Sequence, residues 1–158
     1  MMIGVYFVDR ISGRTVIVAA DKEPAIAADG DSFAIGQQKF RLKGIDAPEL
    51  HQLCKDESGS DWACEQAARG ALVTALAEPS LRCATEAHDR YHRALATCNN
   101  ARSFDIAADQ VRAGMAISSD FYGIRSYSGE EDDAKAAKRG MWRGTFDPPS
   151  QWRAAHPR

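Results

Sequence analysis

Polar and apolar residues alternate with a period of two over Ser32 to Ile35 and again over Gln38 to Ile45, the pattern of half-buried strands, with Gly36 and Gln37 as the turn between them. The pattern predicts a β-hairpin that brings Asp29 to Asp31 near Ile45 to Glu49. Leu81 to Thr85 and Ala94 to Cys98 flank the turn-like stretch HDRYHR and predict a second hairpin. Val5 to Val8 and Thr15 to Val18, parted by Ser12-Gly13-Arg14, read as a further hairpin or an extra strand. From Asp61, which can cap, the period turns helical: Ala63, Ala67, Leu72, Val73 and Leu76 recur until Glu78-Pro79 stops the run. Ser103 or Asp105 opens a second helix that Gly114 ends, and Met115 to Ile117 is a short last strand. An irregular loop spans Phe121 to Tyr127. Glu130 to Arg139 is a third helix, acidic at its start, basic at its end and closed by Gly140. The tail TFDPPSQWRAAHPR is interrupted by proline and is expected to wrap the surface, with Trp142 and Trp152 as packing anchors.

Composition narrows the picture without naming a chemistry. A chain of 158 residues, 44% hydrophobic, has room for one globular domain with a proper core. Net charge is −2 and the sequence pI about 6.1, so a polyanionic partner would have to meet a local patch, for which Lys39, Arg41, Lys43, Arg90 and Arg93 are available. No apolar run approaches the ~20 residues that cross a bilayer. Asp9 and Arg10 break the first apolar run as a secretory core would not.

The cysteines speak to compartment. Cys54, Cys64, Cys83 and Cys98 contain no C-x-x-C, and four cysteines permit 3 connectivities. A symmetric hairpin about HDRYHR sets Cys83 opposite Cys98, within disulfide range, and leaves Cys54 with Cys64. A competing arrangement is a zinc site from Cys83, His88, His92 and Cys98, which a tight turn converges poorly. Two bridges would imply an oxidising compartment, periplasmic or outside the cell, with any leader or anchor expected upstream of this chain.

The chemistry-bearing stretch is DGDSFAIGQQKFRLKGIDAPE, from Asp29 to Glu49. It places Asp29, Asp31, Asp46 and Glu49 around Arg41. Crowded carboxylates repel unless a cation binds or one keeps its proton, and an oxygen-only set suits Ca²⁺ or Mg²⁺ better than zinc. DGDS alone is better explained as a turn, rich in Asp and Gly for backbone reasons.

DGDSF, RLKGIDAPE, DRYHR at Asp89 to Arg93 and GMW at Gly140 to Trp142, in that order, resemble the staphylococcal nuclease (thermonuclease) family over roughly residues 24 to 143. The resemblance implies an α+β architecture, a five-stranded OB-type β-barrel with three helices, occupying residues 24–143 between an N-terminal extension (1–23) and a C-terminal tail (144–158). It implies Ca²⁺-dependent hydrolysis of DNA and RNA with little sequence preference, by endonuclease or exonuclease action leaving 3′-phosphates. Asp31, Asp46 and the Ala47 carbonyl would hold Ca²⁺, Arg41 and Arg93 would grip phosphate, and Glu49 would be the general base. Tyr91 and Tyr122 would contact the nucleotide, and Asp29 would form the turn behind Asp31. His92 stands where the family usually has glycine, in a turn that can demand positive φ. The alternatives are a non-catalytic OB-fold oligonucleotide-binding module and a protein that uses Ca²⁺ only for stability. A monomer without an obligatory protein partner is expected.

Overall fold

The protein is described here by a computed structural model covering residues 6–9, 14–18, 23–121 and 123–157, with backbone alone for 6–9, 14–18 and 121. Its strands in chain order are β1 (Tyr6–Asp9), β2 (Arg14–Val18), β3 (Ala25–Ala27), β4 (Ser32–Ile35), β5 (Gln38–Leu42), β6 (Ile45–Asp46), β7 (Cys54–Lys55) and β8 (Asp61–Trp62). Helix α1 (Cys64–Ala77) follows, then β9 (Arg82–His88), β10 (Ala94–Asn99), α2 (Ile106–Arg112), β11 (Ile117–Ser118), β12 (Asp120–Phe121), β13 (Ile124–Arg125), α3 (Ser128–Ala136) and α4 (Pro149–Ala155). A single 3-10 turn, Gly140–Arg143, precedes α4.

The main sheet runs in the order β1-β2-β9-β10-β5-β4-β3. Five of these strands, β9, β10, β5, β4 and β3, run contiguously to the β3 edge, and the β1–β2 hairpin lengthens the sheet along β9. The expected closed five-stranded barrel with three helices is corrected here. Among the described residues the sheet is open, because β2 takes the free edge of β9, and four α-helices are present. β4 and β5 pair antiparallel about Gly36-Gln37, and β5 pairs parallel with β10, Arg41 facing Leu95.

Alternation along β4 and β5 points Phe33, Phe40 and Leu42 inward. The Phe33 and Phe40 rings, cross-strand partners, stack with centroids 5.0 Å apart. Leu72 of α1 and Ile106 and Val111 of α2 close this core from the other side. Each such buried side chain contributes about 1.5–3 kcal/mol relative to exposure. Gly30, at the start of the hairpin, is required by a close approach: a Cβ there would come within 2.7 Å of the Ala68 Cβ and 2.8 Å of the Ala47 Cβ. The glycine of DGDS therefore lets α1 lie against the hairpin.

Both disulfides form as expected, Cys54–Cys64 and Cys83–Cys98, with Cys98 directly opposite Cys83 in the ladder. This removes Cys83 and Cys98 from any zinc site. Asp61 does not cap α1. The Cys54–Cys64 loop draws Asp61 and Trp62 into a short ladder with Lys55 and Cys54, and Asp61 pairs with Lys55 at 2.6 Å. Asp105, by contrast, caps α2, its carboxylate accepting from the Ala107 and Ala108 N–H groups and from the Tyr127 hydroxyl. The third helix begins two residues before its expected start and ends three before its expected end, and Gly140 takes φ +54° beyond it.

Candidate functional site

The β4–β5 hairpin does what its alternation predicts and returns the chain on itself. A break at Lys43-Gly44, where Gly44 takes φ +81°, turns β5 into β6 and carries Asp46 and Ala47 back toward Asp31. Asp31 is fixed from both ends. Its Oδ2 accepts the Ala47 N–H at 2.7 Å, and its Oδ1 pairs with Arg41 Nη1 at 2.7 Å. Asp29 forms the turn behind it, its Oδ1 accepting from the Asp31 and Ser32 N–H groups and the Ser32 hydroxyl.

Arg41 reaches across the rim from β5. Its Nη2 donates to the Ile45 carbonyl at 3.1 Å and lies 3.4 Å from Asp46 Oδ1. Burial works against the guanidinium charge, but Asp31 and Asp46 outweigh it and hold Arg41 protonated more firmly than usual. Asp31, 3% exposed, is pushed up to about 7 by burial, which Arg41 and the Ala47 N–H only partly offset while Asp29 and Asp46 add to it. Glu49 follows Pro48 in an irregular stretch. Its N–H donates to the side chain of Gln52, which in turn donates to the Asp147 carbonyl at 2.7 Å.

Sequence reasoning missed Arg153. This residue of α4 puts Nη1 on Asp46 Oδ1 at 3.0 Å and Nη2 on Asp46 Oδ2 at 3.1 Å, and Nη1 also reaches Glu49 Oε1 at 2.6 Å. The hydrogen bond to Asp46 foremost, then Glu49, raises its pKa against the opposing effect of burial. Pro149 in the first turn, a favoured place for proline, marks the helix in the sequence, but nothing there directs Arg153 to the rim. Gln52 and Gln110 were missed too. Both are buried, and Gln110 donates to the Gly30 and Ala68 carbonyls, holding the rim on α1.

Asp31, Arg41, Asp46, Ala47 and Glu49 thus meet at one rim, whereas Arg93 and Tyr91 belong to a second group on the β9–β10 turn. There Arg93 Nε pairs with Asp89 Oδ2 at 2.7 Å, and the Asp89 carboxylate also accepts the Tyr91 and Arg93 N–H groups. Burial pushes Asp89 up, but these hydrogen bonds and the Arg93 charge prevail and lower it. The Tyr91 ring, 58% exposed, lies 5.0 Å from the Arg90 guanidinium and 5.5 Å from that of Arg93. His92 takes φ +62°, the conformation a glycine would adopt freely. Tyr122 lies outside the described residues.

The donors at the rim are hard oxygens. Among the described residues no three His, Cys, Asp or Glu side chains are grouped so as to hold a metal ion. A cation here would depend on Asp31, Asp46 and the Ala47 carbonyl, completed by solvent or substrate. Among the described residues no helix is long and apolar enough to cross a membrane.

The succinoglycan biosynthesis protein ExoI of Rhizobium meliloti (strain 1021) is 33% identical over 120 residues, 75% of this chain and 63% of the relative, so the chain spans less than two thirds of that protein's length. The family model described as "Staphylococcal nuclease homologue" matches residues 39–144, from β5 through the 3-10 turn, which include Arg41, Asp46, Glu49 and Arg93. The chain belongs to the staphylococcal nuclease homologue family.

Proposed function

We propose that this chain hydrolyses phosphodiester bonds of DNA and RNA with little sequence preference, aided by Ca²⁺. The observation that carries this reading is the convergence of Asp31, Arg41, Asp46 and Glu49 on one rim from separate parts of the chain. The donor chemistry suits a hard divalent ion, and the Arg153 guanidinium already stands against Asp46 and Glu49 as a counter-cation. Asp31, Asp46 and the Ala47 carbonyl would hold the ion, which when bound supplies Lewis acidity at the phosphodiester. Glu49 accepts a proton from the attacking water and so raises its nucleophilicity. Water oxygen bonds to phosphorus, the bond to the 5′ oxygen breaks in line, and that oxygen takes a proton from solvent, leaving a 3′-phosphate. Arg41 neutralises charge that grows on the phosphoryl oxygens, a task its planar fork performs better than a lysine would. Arg93 would add a second guanidinium from the turn, and Tyr91 a face on which any base can stack.

The two disulfides support a periplasmic or secreted setting. A second reading has a specific observation behind it. Arg153 engages both oxygens of Asp46 and one of Glu49, as a non-catalytic oligonucleotide-binding module could permanently retain. Incubation of the pure protein with supercoiled plasmid and single-stranded RNA, with Ca²⁺ or with chelator, separates the two. Cleavage that needs Ca²⁺ is expected; retention of intact strands on the protein without cleavage would establish the binding module instead.

A further inference from the structure

We propose that α4 is a displaceable strap: Arg153 and a divalent cation compete for Asp46 while the same fork covers Glu49, so the rim opens to metal only when the C-terminal helix lifts away. The inference rests on the metal-dependent reading above and concerns a residue beyond the segment shared with the family model.

The strap has a fixed root and a loosely held end. At the root, the Lys55 N–H donates to the Thr145 carbonyl at 2.8 Å, and the Gln52 side chain holds the Asp147 carbonyl. Gly144 is pressed so closely on the Lys55 and Asp56 carbonyls that no Cβ fits there, and Trp142 packs edge-on against Phe146 at 4.9 Å. The chain is therefore secured as far as Asp147, beside Glu49.

Beyond Pro148 the attachment changes in kind. Within α4 only Pro149 is buried, Trp152 is half-buried, and Ser150, Gln151, Ala154 and Ala155 are exposed. Trp152 stacks on His156 within the same segment at 4.0 Å, an internal contact that does not tie the helix to the rim. The specific attachment is the Arg153 fork, three hydrogen bonds to two carboxylates, with 44% of the arginine side chain exposed. Asp46 and Glu49 are shielded, 7% and 17% exposed, so the attachment is a partly buried pair reached by solvent and salt from the arginine side, and a metal ion brings two charges to the same Asp46 oxygens. Both oxygens of Asp46 accept from Arg153, and Oδ1 also lies 3.4 Å from Arg41 Nη2, so a divalent cation drawn to this carboxylate meets the positive charge of the seated fork and competes with it. The fork likewise occupies Glu49 Oε1. When seated, it competes with metal at Asp46 and with the attacking water at Glu49.

The test uses the full chain and the R153A variant, with Ca²⁺ alone as the probe in calorimetric titration and hydrogen exchange over residues 149–156 as the conformational readout. R153A is expected to bind Ca²⁺ about tenfold more tightly, the gain that follows if the strap is seated about nine-tenths of the time. Ca²⁺ should speed exchange across α4 in the wild type and change it little in R153A, where the helix is already released. Equal Ca²⁺ affinities, or slower α4 exchange in the wild type on Ca²⁺ binding, would overturn the strap, as would absence of binding to both proteins. Cleavage measured in parallel distinguishes the failures: Ca²⁺-dependent cleavage with equal affinities sinks the strap alone, and no cleavage with no binding sinks the hydrolase reading with it.

Discussion

Arg41 and Arg93 are similarly shielded, 20% and 24% exposed, and each faces an aspartate at 2.7 Å, yet they belong to opposite kinds of site. Arg41 lies in a rim assembled across the sequence. Asp31 is bonded to the Ala47 N–H sixteen positions on, and α4 contributes from more than a hundred positions away. Arg93 lies in a turn that organises itself, since Asp89 binds the backbone and side chain of its own loop. Charge differs as well. The rim sets Asp29, Asp31, Asp46 and Glu49 against Arg41 and Arg153, whereas the turn sets Asp89 against Arg90 and Arg93. The rim suits a cation and the turn an anion, and the pairing of Leu95 with Arg41 sets the turn only two residues along β10 from the strand that carries Arg41.

The comparison breaks most sharply at Glu49. Glu49→Gln keeps the shape of the rim and removes the proton acceptor, so cleavage should fall on the order of 10²–10⁴-fold. Asp89→Asn, which touches only the turn, should cost on the order of tenfold or less. Initial rates on a single-stranded substrate at saturating Ca²⁺ decide it, and equal losses would mean that the turn takes part in the chemistry as fully as the rim.

The next effect concerns stability. The Cys83–Cys98 bridge ties the two strands leading into the turn across a separation of 15 residues. Replacing both cysteines by serine should cost on the order of 3 kcal/mol, by the chain-entropy account of a loop of this length. Urea unfolding should show it, and a loss below about 1 kcal/mol would mean that the sheet alone holds the turn.

A smaller effect sharpens the electrostatic side. Asp31 has its folded-state pKa near 7, above the value of about 3.9 for an unfolded aspartate, so between these values the folded chain holds a proton that the unfolded chain has released. Its contribution is complete below about pH 3.9 and is lost as pH rises through 7. Asparagine does not titrate. In chelator, the stability of the wild type relative to Asp31→Asn should therefore fall by about 2–3 kcal/mol between pH 5 and pH 8, less than the full shift because part of it is already lost between about pH 3.9 and pH 5. A difference that rises over this range would show that Arg41 more than compensates the burial of Asp31.

How much of this was legible in the sequence follows the same division. Period-two alternation exposed the β4–β5 hairpin and hence the meeting of Asp31 with Asp46, because the spacing of a hairpin fixes which ends converge. Symmetry about HDRYHR likewise gave Cys83 opposite Cys98. Arg153 was not legible. Its role depends on the path of an irregular, proline-bearing tail, which no periodicity encodes. The open sheet was hidden for a related reason, since whether β2 pairs with β9 is a choice between distant edges that local pattern does not make. Asp61 was misread because a disulfide-closed loop overrode its capping propensity.

The smallest expected effect tests whether the turn is held by its own backbone. His92 takes φ +62° between Tyr91 and Arg93, where a side chain is strained and glycine is not. The Asp89 carboxylate nonetheless accepts both neighbouring N–H groups, and the His92 N–H donates to the Asp89 carbonyl at 3.0 Å, so the turn keeps its form despite the strain. Relief of the strain should exceed the added freedom of the unfolded chain, and His92→Gly should stabilise the protein by about 0.5–1 kcal/mol while leaving cleavage within about twofold. Loss of both stability and activity would mean that the imidazole positions Arg93, giving the turn a dependence on a side chain that its backbone hydrogen bonds do not reveal.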